Sequence, residues 1–223
     1  MGEQAKPIVI FDLDGTLTDS AEGILKSVRI VLAHYGITVP EGDSLNAFIG
    51  PPLRETFPKH GVPVAEVENA VKLYRSRYFS VGKFENTPYP GIREMLSRLS
   101  DEGFRLYVAT SKPETLAVEI LQHFSLAQYF GLICGATIGA GRDSKGDVLR
   151  YLFATLGEAD PSACNAVMVG DTVLDVNGAN ELGIPAIGVS WGYGDVSAMR
   201  EAGAAAIAET PEELYELFKM KKA

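Results

Sequence analysis

The sequence predicts an α/β fold: a doubly wound, mostly parallel sheet with a small all-helical domain inserted behind its first strand. Three observations carry that prediction. Runs that are apolar at every position recur along the chain, as central parallel strands buried on both faces require. Helical repeats lie between those runs, and strand–helix alternation marks a doubly wound sheet. Residues 18–89 hold no such run and offer only helical repeats.

The first strand is read over Lys6–Asp14, where Ile8 to Phe11 lead into Asp12 and Asp14. The insert follows. Asp19, with Glu22 three residues on, is a helix start signal, and Ile24, Val28, Val31 and Tyr35 share a face up to Gly36. A short helix follows Pro52 and a longer one is read over Val64–Phe79. The catalytic core is therefore assigned to residues 1–17 and 90–223, and the helical domain to 18–89. Arg105–Thr110 reads as the next strand, and Leu116, Ile120, Leu121 and Phe124 line one face of the helix behind it. Val148, Leu152, Phe153 and Leu156 line another, stopped by Gly157. Two more strands are read over Ala163–Gly170 and Pro185–Ser190. The last helix has Thr210 as N-cap, Pro211 in the first turn and Glu213 closing a capping box.

A chain of 223 residues buries about 70% of its unfolded surface, so its core needs no disulfides. Cys134 and Cys164 read as small buried apolar residues in strands. Acids outnumber bases by 29 to 20, for a net charge of −9. Binding a nucleic-acid polymer or an anionic membrane needs a basic face, so neither partner is expected. The start MGEQAKPIVI has no basic segment leading into a long apolar run. No secretory signal is expected, and the reducing cytoplasm is the expected compartment. Oligomeric state leaves no mark in the sequence.

The ligand site of an open α/β sheet lies at the carboxyl ends of its strands. There the sequence places Asp12 and Asp14, then Thr110 and Ser111, then Asp171 with Asp175 four residues on. Lys145 begins the helix before the Asp171 strand. Within a regular strand Asp12 and Asp14 point the same way, and neighbouring buried carboxylates repel. A divalent cation resolves that conflict, and Mg²⁺ suits oxygen ligands combined with a substrate phosphate. An Asp carboxylate is a competent nucleophile toward phosphorus, and a second carboxyl can protonate the leaving oxygen and then activate water. A lysine and hydroxyls can hold the transferring group. Lys112 is the second candidate for that positive charge, and read alone it is the exposed start of a helix.

Asp12-Leu-Asp-Gly-Thr-Leu-Thr-Asp-Ser20, Val108-Ala-Thr-Ser-Lys112, Lys145 and Gly170-Asp-Thr-Val-Leu-Asp175 resemble, in order, the four motifs of the haloacid dehalogenase superfamily. The resemblance implies a Rossmann-like core, Asp12 as nucleophile, Asp14 as acid and base, Thr110 as phosphate binder and Lys145 as stabilising cation. It implies Mg²⁺ held by Asp12, the backbone carbonyl of Asp14, and Asp171, with Asp175 on the metal or just behind it. An acid at position 14 is what phosphatases and mutases of the superfamily have and dehalogenases lack. The insert resembles the helical cap of the phosphoglycolate phosphatase-like subfamily, and Phe48-Ile-Gly-Pro-Pro-Leu-Arg54 its substrate-facing loop, with Arg54 toward the leaving group. Tyr74, Arg75, Arg77, Tyr78 and Tyr193 are lesser candidates. The implied activity is an Mg²⁺-dependent phosphatase of a small phosphorylated metabolite, working through an aspartyl-phosphate. A 5'-nucleotidase-like phosphatase and a β-phosphoglucomutase-like mutase are the alternatives.

Three patterns mimic other sites. Gly188-Val-Ser-Trp-Gly192 fits a hydrolase nucleophile elbow, but no histidine follows His123. Gly139 to Lys145 lacks the Gly-Lys-Ser/Thr of a phosphate loop. Asp12-x-Asp14 starts like a calcium loop, yet Leu17 stands where that loop needs glycine.

Overall fold

Ile8, Val9, Ile10 and Phe11 are all fully buried, so the strand they form can only be central. The computed structural model, which describes residues 7–39, 45–137 and 141–220, shows how. The chain runs β1 (Ile8–Phe11), β2 (Thr18–Asp19), α1 (Ala21–His34), α2 (Leu53–Lys59), α3 (Val67–Ser80), β3 (Thr87–Pro88), α4 (Ile92–Asp101), β4 (Arg105–Pro113), α5 (Glu114–His123) and β5 (Leu132–Ala136). It continues through α6 (Lys145–Leu156), β6 (Ala166–Gly170), α7 (Val173–Asn180), β7 (Ala186–Val189), α8 (Val196–Glu201), β8 (Ala206–Ala208) and α9 (Pro211–Met220). Two compact units result: Met1–Thr18 with Pro88–Ala223, and Asp19–Thr87.

In the first unit a six-stranded sheet has the order β5-β4-β1-β6-β7-β8, and its pairings are parallel. From β1 the chain goes out through β4 to β5, then returns to β6 on the other flank. The order thus reverses at β1, which puts the ligand crevice at its carboxyl end. Side chains alternate across the sheet. Val9, Phe11, Val108 and Val169 face a core made with α4, α5 and α9, while Ile8, Ile10, Ala109 and Met168 face one made with α6, α7 and α8. Each fully buried aliphatic side chain contributes about 1.5–3 kcal/mol, so no partner strand of β1 can be lost cheaply. Among the described residues no helix is long and apolar enough to cross a membrane.

Several expectations change in detail. Strand β1 ends at Phe11, so the same-face rule for residues two apart does not govern Asp12 and Asp14. Cys134 is buried in β5, but Cys164 lies outside β6 and is half-buried; both are free thiols. Glu213 does not reach the Thr210 N–H. Thr210 accepts from the Glu213 N–H at 3.1 Å, and the Glu213 carboxylate reaches past it to the Glu209 N–H at 2.8 Å. Of the Gly139–Lys145 segment, residues 139 and 140 lie outside the described residues, as do residues 1–6.

The second unit holds α1, α2 and α3 around Val28, Val31, Phe57 and Val71. Helix α1 begins at Ala21, whose N–H donates to the Asp19 carboxylate at 3.1 Å, and Glu22 turns to Lys26 rather than back to the helix start. Tyr35 falls just past its end, and residues 64–66 form a 3-10 turn ahead of α3. Tyr74 and Tyr78 are buried and stacked on each other at 5.3 Å, and Arg77 is paired with Glu85 at 2.8 Å. These contacts lie within the unit itself.

Candidate active site

Three strand ends and two helix starts build the site in the first unit. Asp12 follows the last residue of β1, Thr110 and Ser111 lie in β4, and Asp171 follows the last residue of β6. Lys145 opens α6, where a reciprocal cap fixes it: Ser144 Oγ accepts from the Asp147 N–H at 3.1 Å and the Ser144 N–H donates to Asp147. Asp175 caps α7 in the same manner, its Oδ2 accepting from the Thr172 N–H at 3.0 Å and hydroxyl at 2.8 Å. A Cβ on Gly178 would lie 2.7 Å from Lys145 Cγ, so glycine there lets the lysine stem run between α6 and α7.

The Lys145 ammonium is buried among Asp12 Oδ1 at 2.8 Å, Asp175 Oδ1 at 2.8 Å and the Ala109 carbonyl at 2.9 Å. Burial alone would lower its pKa; the Asp12 and Asp175 carboxylates reverse that and hold it above its ordinary value. Asp12, Asp171 and Asp175 bring one carboxylate oxygen each to within 4.8 Å of one another. Burial, and then the charges of Asp175 and Asp12, push the Asp171 carboxyl up to about 8. Burial raises Asp175 too, against the pull of Lys145.

Lys112 is the residue whose place the sequence left open, and it is not an exposed helix start. Strand β4 runs on to Pro113, and its register against β5 shifts between Thr110 and Pro113. In that irregular stretch Lys112 is buried, with Nζ 2.7 Å from Asp14 Oδ2. The two acids of the first motif therefore face different lysines. The side chain of Asp14 stands outside the three-carboxylate cluster, and its Oδ1 is buried with no hydrogen-bond partner among the described residues. Thr110 is buried, its Oγ1 accepting from the Lys112 N–H at 3.3 Å, and Ser111 is half-buried beside it.

Arg54 belongs to the second unit, at the start of α2, where its guanidinium donates to both oxygens of Glu68 at 2.6 and 3.0 Å. Two contributors to the site went unread in the sequence. Thr16 donates its hydroxyl to Asp171 Oδ1 at 3.2 Å, and the Tyr193 backbone N–H donates to Asp171 Oδ2 at 2.9 Å. The sequence makes Tyr193 a lesser candidate, and no signal in it distinguishes the backbone amide. Ser190, of the mimic elbow, is an exposed residue past β7.

The cluster suits a hard divalent cation by two tests. Its donors are all oxygen, and two of its carboxyls, Asp171 and Asp175, are raised by burial and by neighbouring carboxylates, charge that a cation would offset.

The sequence family described as haloacid dehalogenase-like hydrolase matches residues 9–189. The chain is 41% identical over 195 residues to a 5'-nucleotidase of Pseudomonas aeruginosa, covering 87% of each. It is 34% identical over 201 residues to a phosphoglycolate phosphatase of Agrobacterium fabrum, covering 85% of this chain and 83% of that one. Its fold superposes on a predicted phosphatase from Clostridium acetobutylicum with a TM-score of 0.89 at 41% identity, covering 96% and 99% of the two chains. It also spans 64% of the length of a Mycobacterium tuberculosis relative named tyrosine-protein kinase PtkA, at 45% identity over 191 residues. Four motifs, a sheet that reverses at β1 and a carboxylate cluster at its carboxyl edge agree with that family match: the chain belongs to the haloacid dehalogenase-like hydrolases.

Proposed function

We propose that this chain is a phosphatase of a small phosphorylated metabolite, acting through an aspartyl-phosphate on Asp12. The observation that carries the reading is the Asp12 carboxylate at the switch point of the sheet, beside Asp171 and Asp175 and held by buried Lys145. A carboxylate oxygen of Asp12 attacks phosphorus and the ester P–O bond breaks. The carboxylic acid of Asp14 gives its proton to the departing oxygen. Asp14, now a carboxylate, takes a proton from water as that water attacks phosphorus. The Asp12–phosphorus bond breaks, phosphate leaves and both residues are restored. Lys145 balances the charge on the transferring group, and the hydroxyls of Thr110 and Ser111 donate to its oxygens. Asp12, Asp171, Asp175 and the Asp14 backbone carbonyl would hold Mg²⁺, which when bound neutralises and orients the phosphate. Lys112 fixes one oxygen of Asp14 and leaves the other for proton transfer.

In the helical unit, which we read as a cap, Arg54 meets a leaving-group anion only by exchanging Glu68 for it. The pair is exposed, with side chains 53% and 61% accessible, and such pairs are worth under about 1 kcal/mol, so the exchange is inexpensive. Likeness to a 5'-nucleotidase and to a phosphoglycolate phosphatase supports two substrate classes, nucleoside monophosphates and small phosphorylated acids. Two free thiols suit a reducing cytoplasm.

The test is a panel of 2-phosphoglycolate, nucleoside 5'-monophosphates and hexose phosphates, scored by phosphate release with Mg²⁺, with chelator, and with Asp12→Asn. Release should need the metal and vanish in the variant. Unchanged release from Asp12→Asn overturns the mechanism, and isomerised sugar phosphate in place of free phosphate makes the chain a mutase.

A further inference from the structure

Asp171 is gripped at both carboxylate oxygens, and the two grips trace back to one segment. Oδ2 accepts from the Tyr193 N–H at 2.9 Å, and Oδ1 from the Thr16 hydroxyl at 3.2 Å. Thr16 is itself held, because its carbonyl accepts from the Trp191 indole N–H at 3.0 Å. The Trp191 ring packs edge-on against Tyr89 at 6.4 Å, and the Tyr89 N–H donates to the Leu17 carbonyl at 3.1 Å. Trp191 and Tyr193 both lie in Trp191-Gly-Tyr-Gly194, between the end of β7 and Asp195, which caps α8 by accepting from the Ser197 N–H at 2.7 Å. The segment is therefore anchored at both ends and touches both the turn after Asp14 and the carboxylate of Asp171.

Its glycines are there for approach. A Cβ on Gly192 would lie 2.3 Å from Asp171 Cβ and 2.4 Å from both Asp171 Oδ2 and the Gly15 carbonyl oxygen. On Gly194 it would lie 2.0 Å from the Asp171 carbonyl oxygen. Neither residue has a positive φ, so space and not backbone conformation excludes a side chain. From the opposite side, a Cβ on Gly15 would lie 2.1 Å from Asp171 Oδ2.

We propose that Trp191–Gly194 is a positioning strap for the metal-facing carboxylate of Asp171, with Thr16 as its second hand. This rests on the metal site of the proposed function. A lone carboxylate crowded by Asp12 and Asp175 gains by turning away from them. One held at each oxygen by a donor on a packed segment cannot, so the ligand stays aimed where the cation must sit. The strap residues touch no reacting atom and act through Asp171. Trp191 is the only tryptophan, and its indole N–H is joined to Asp171 through Thr16, so its emission reports the arrival of the ion.

Mg²⁺ is titrated calorimetrically into the wild-type protein and the Thr16→Val, Thr16→Ser, Gly192→Ala and Asp171→Asn variants, with tryptophan emission recorded on the same samples. The wild type should bind the ion, and its emission should change with the same midpoint. Thr16→Val and Gly192→Ala should bind about tenfold or more weakly, the usual cost of removing a group that orients a ligand. Thr16→Ser, which keeps the hydroxyl, should bind as the wild type does, a rescue that a merely structural role of the threonine methyl would not give. Asp171→Asn should not bind. If the wild type binds, Asp171→Asn does not, and Thr16→Val and Gly192→Ala match the wild type, the strap is overturned while the metal site stands. Emission unmoved by a saturating ion overturns it equally. A wild type that takes up no ion removes the metal site and the strap with it. Should Gly192→Ala fail to fold, the Thr16→Val and Thr16→Ser pair decides.

Discussion

Asparagine at position 171 should stabilise the metal-free protein even as it destroys the metal site. Asp171 is fully buried, and burial followed by the charges of Asp175 and Asp12 lifts its carboxyl from 3.8 to about 8. With the folded value above the unfolded one, the folded chain holds a proton that the unfolded chain has released. The stability this group contributes is therefore lost as pH rises from about 4 to about 8, and is constant above that. Each unit is worth about 1.4 kcal/mol, so at pH 7 the roughly three-unit gap costs about 4 kcal/mol relative to a neutral side chain. Asparagine removes that cost, but its single oxygen can accept from only one of Thr16 and Tyr193. Leaving the other donor unpaired costs about 1–3 kcal/mol. The net gain is about 1–3 kcal/mol, or ~2–12 °C in the melting midpoint for a chain of this size. Scanning calorimetry in chelator should show the variant above the wild type from about pH 7 to about pH 9, with that lead disappearing as pH falls toward about 5. Saturating Mg²⁺ should reverse the order, because only the wild type gains from binding in the folded state. A variant that melts below the wild type in chelator at about pH 8 refutes the reasoning, for then the two hydrogen bonds outweigh the crowding.

Lys145→Met strands Asp12 and Asp175 without their shared cation. It should cost about 3–5 kcal/mol, seen as a melting midpoint ~6–20 °C lower, and should abolish phosphate release. Asp14→Asn should slow hydrolysis of alkyl phosphates by about 10²–10⁴ and of p-nitrophenyl phosphate by less, since that leaving group needs no proton; equal losses on both would remove Asp14 from the acid role. Ser144→Ala deletes the cap that sets the start of α6; a loss of about 1 kcal/mol should come with reduced turnover, because Lys145 is the next residue. Gly157→Ala, at the far end of that helix, meets nothing within 4 Å but sits at φ 76. It should cost about 1–2 kcal/mol of stability in urea titration and leave turnover unchanged.

The strands that the sequence announces are the ones whose two faces are both covered. Strands β1, β4, β6 and β7 each have an unbroken apolar run because both neighbouring layers demand it. Strand β8 is Ala206–Ala208, three residues on the sheet edge, and its alanines favour helix as readily as strand. Strand β5 carries Gly135, whose missing Cβ leaves room for the Lys112 carbonyl oxygen 2.5 Å from where it would stand. That close approach is a tertiary fact with no local signature. Helix α4 does carry a local signature, since Ile92, Met95, Leu96 and Leu99 repeat at helical spacing. In the site, the carboxylates were legible because spacing and strand ends located them. Lys112 was not, because Ser-Lys-Pro before a helical repeat looks like a solvated helix start. Only the shifted register of β4 on β5 accompanies the turn of its side chain toward Asp14.

Lys112 changes the electrostatics of the whole molecule. The helical insert, residues 18–89, carries eight acids and eight bases, so the rest of the chain holds the entire excess of nine acids. Four of those acids are Asp12, Asp14, Asp171 and Asp175. With Lys145 as their single cation, one Mg²⁺ would leave the site at about −1, and the attraction for a phosphate dianion would have to come from elsewhere, Arg54 first. With Lys112 buried on Asp14 as well, two lysines and one divalent ion would cancel four carboxylates completely, before Asp14 takes up the proton it delivers. A neutral cluster neither repels the phosphate nor draws it in over distance. What then holds the substrate is short-range and directional: the metal ion, the Lys145 ammonium and the hydroxyls of Thr110 and Ser111. Such contacts are strongest where water is excluded and charge develops at the transferring group. The site is thereby built to favour the phosphoryl group in transit over the resting anion, and discrimination among substrates passes to whatever meets the leaving group.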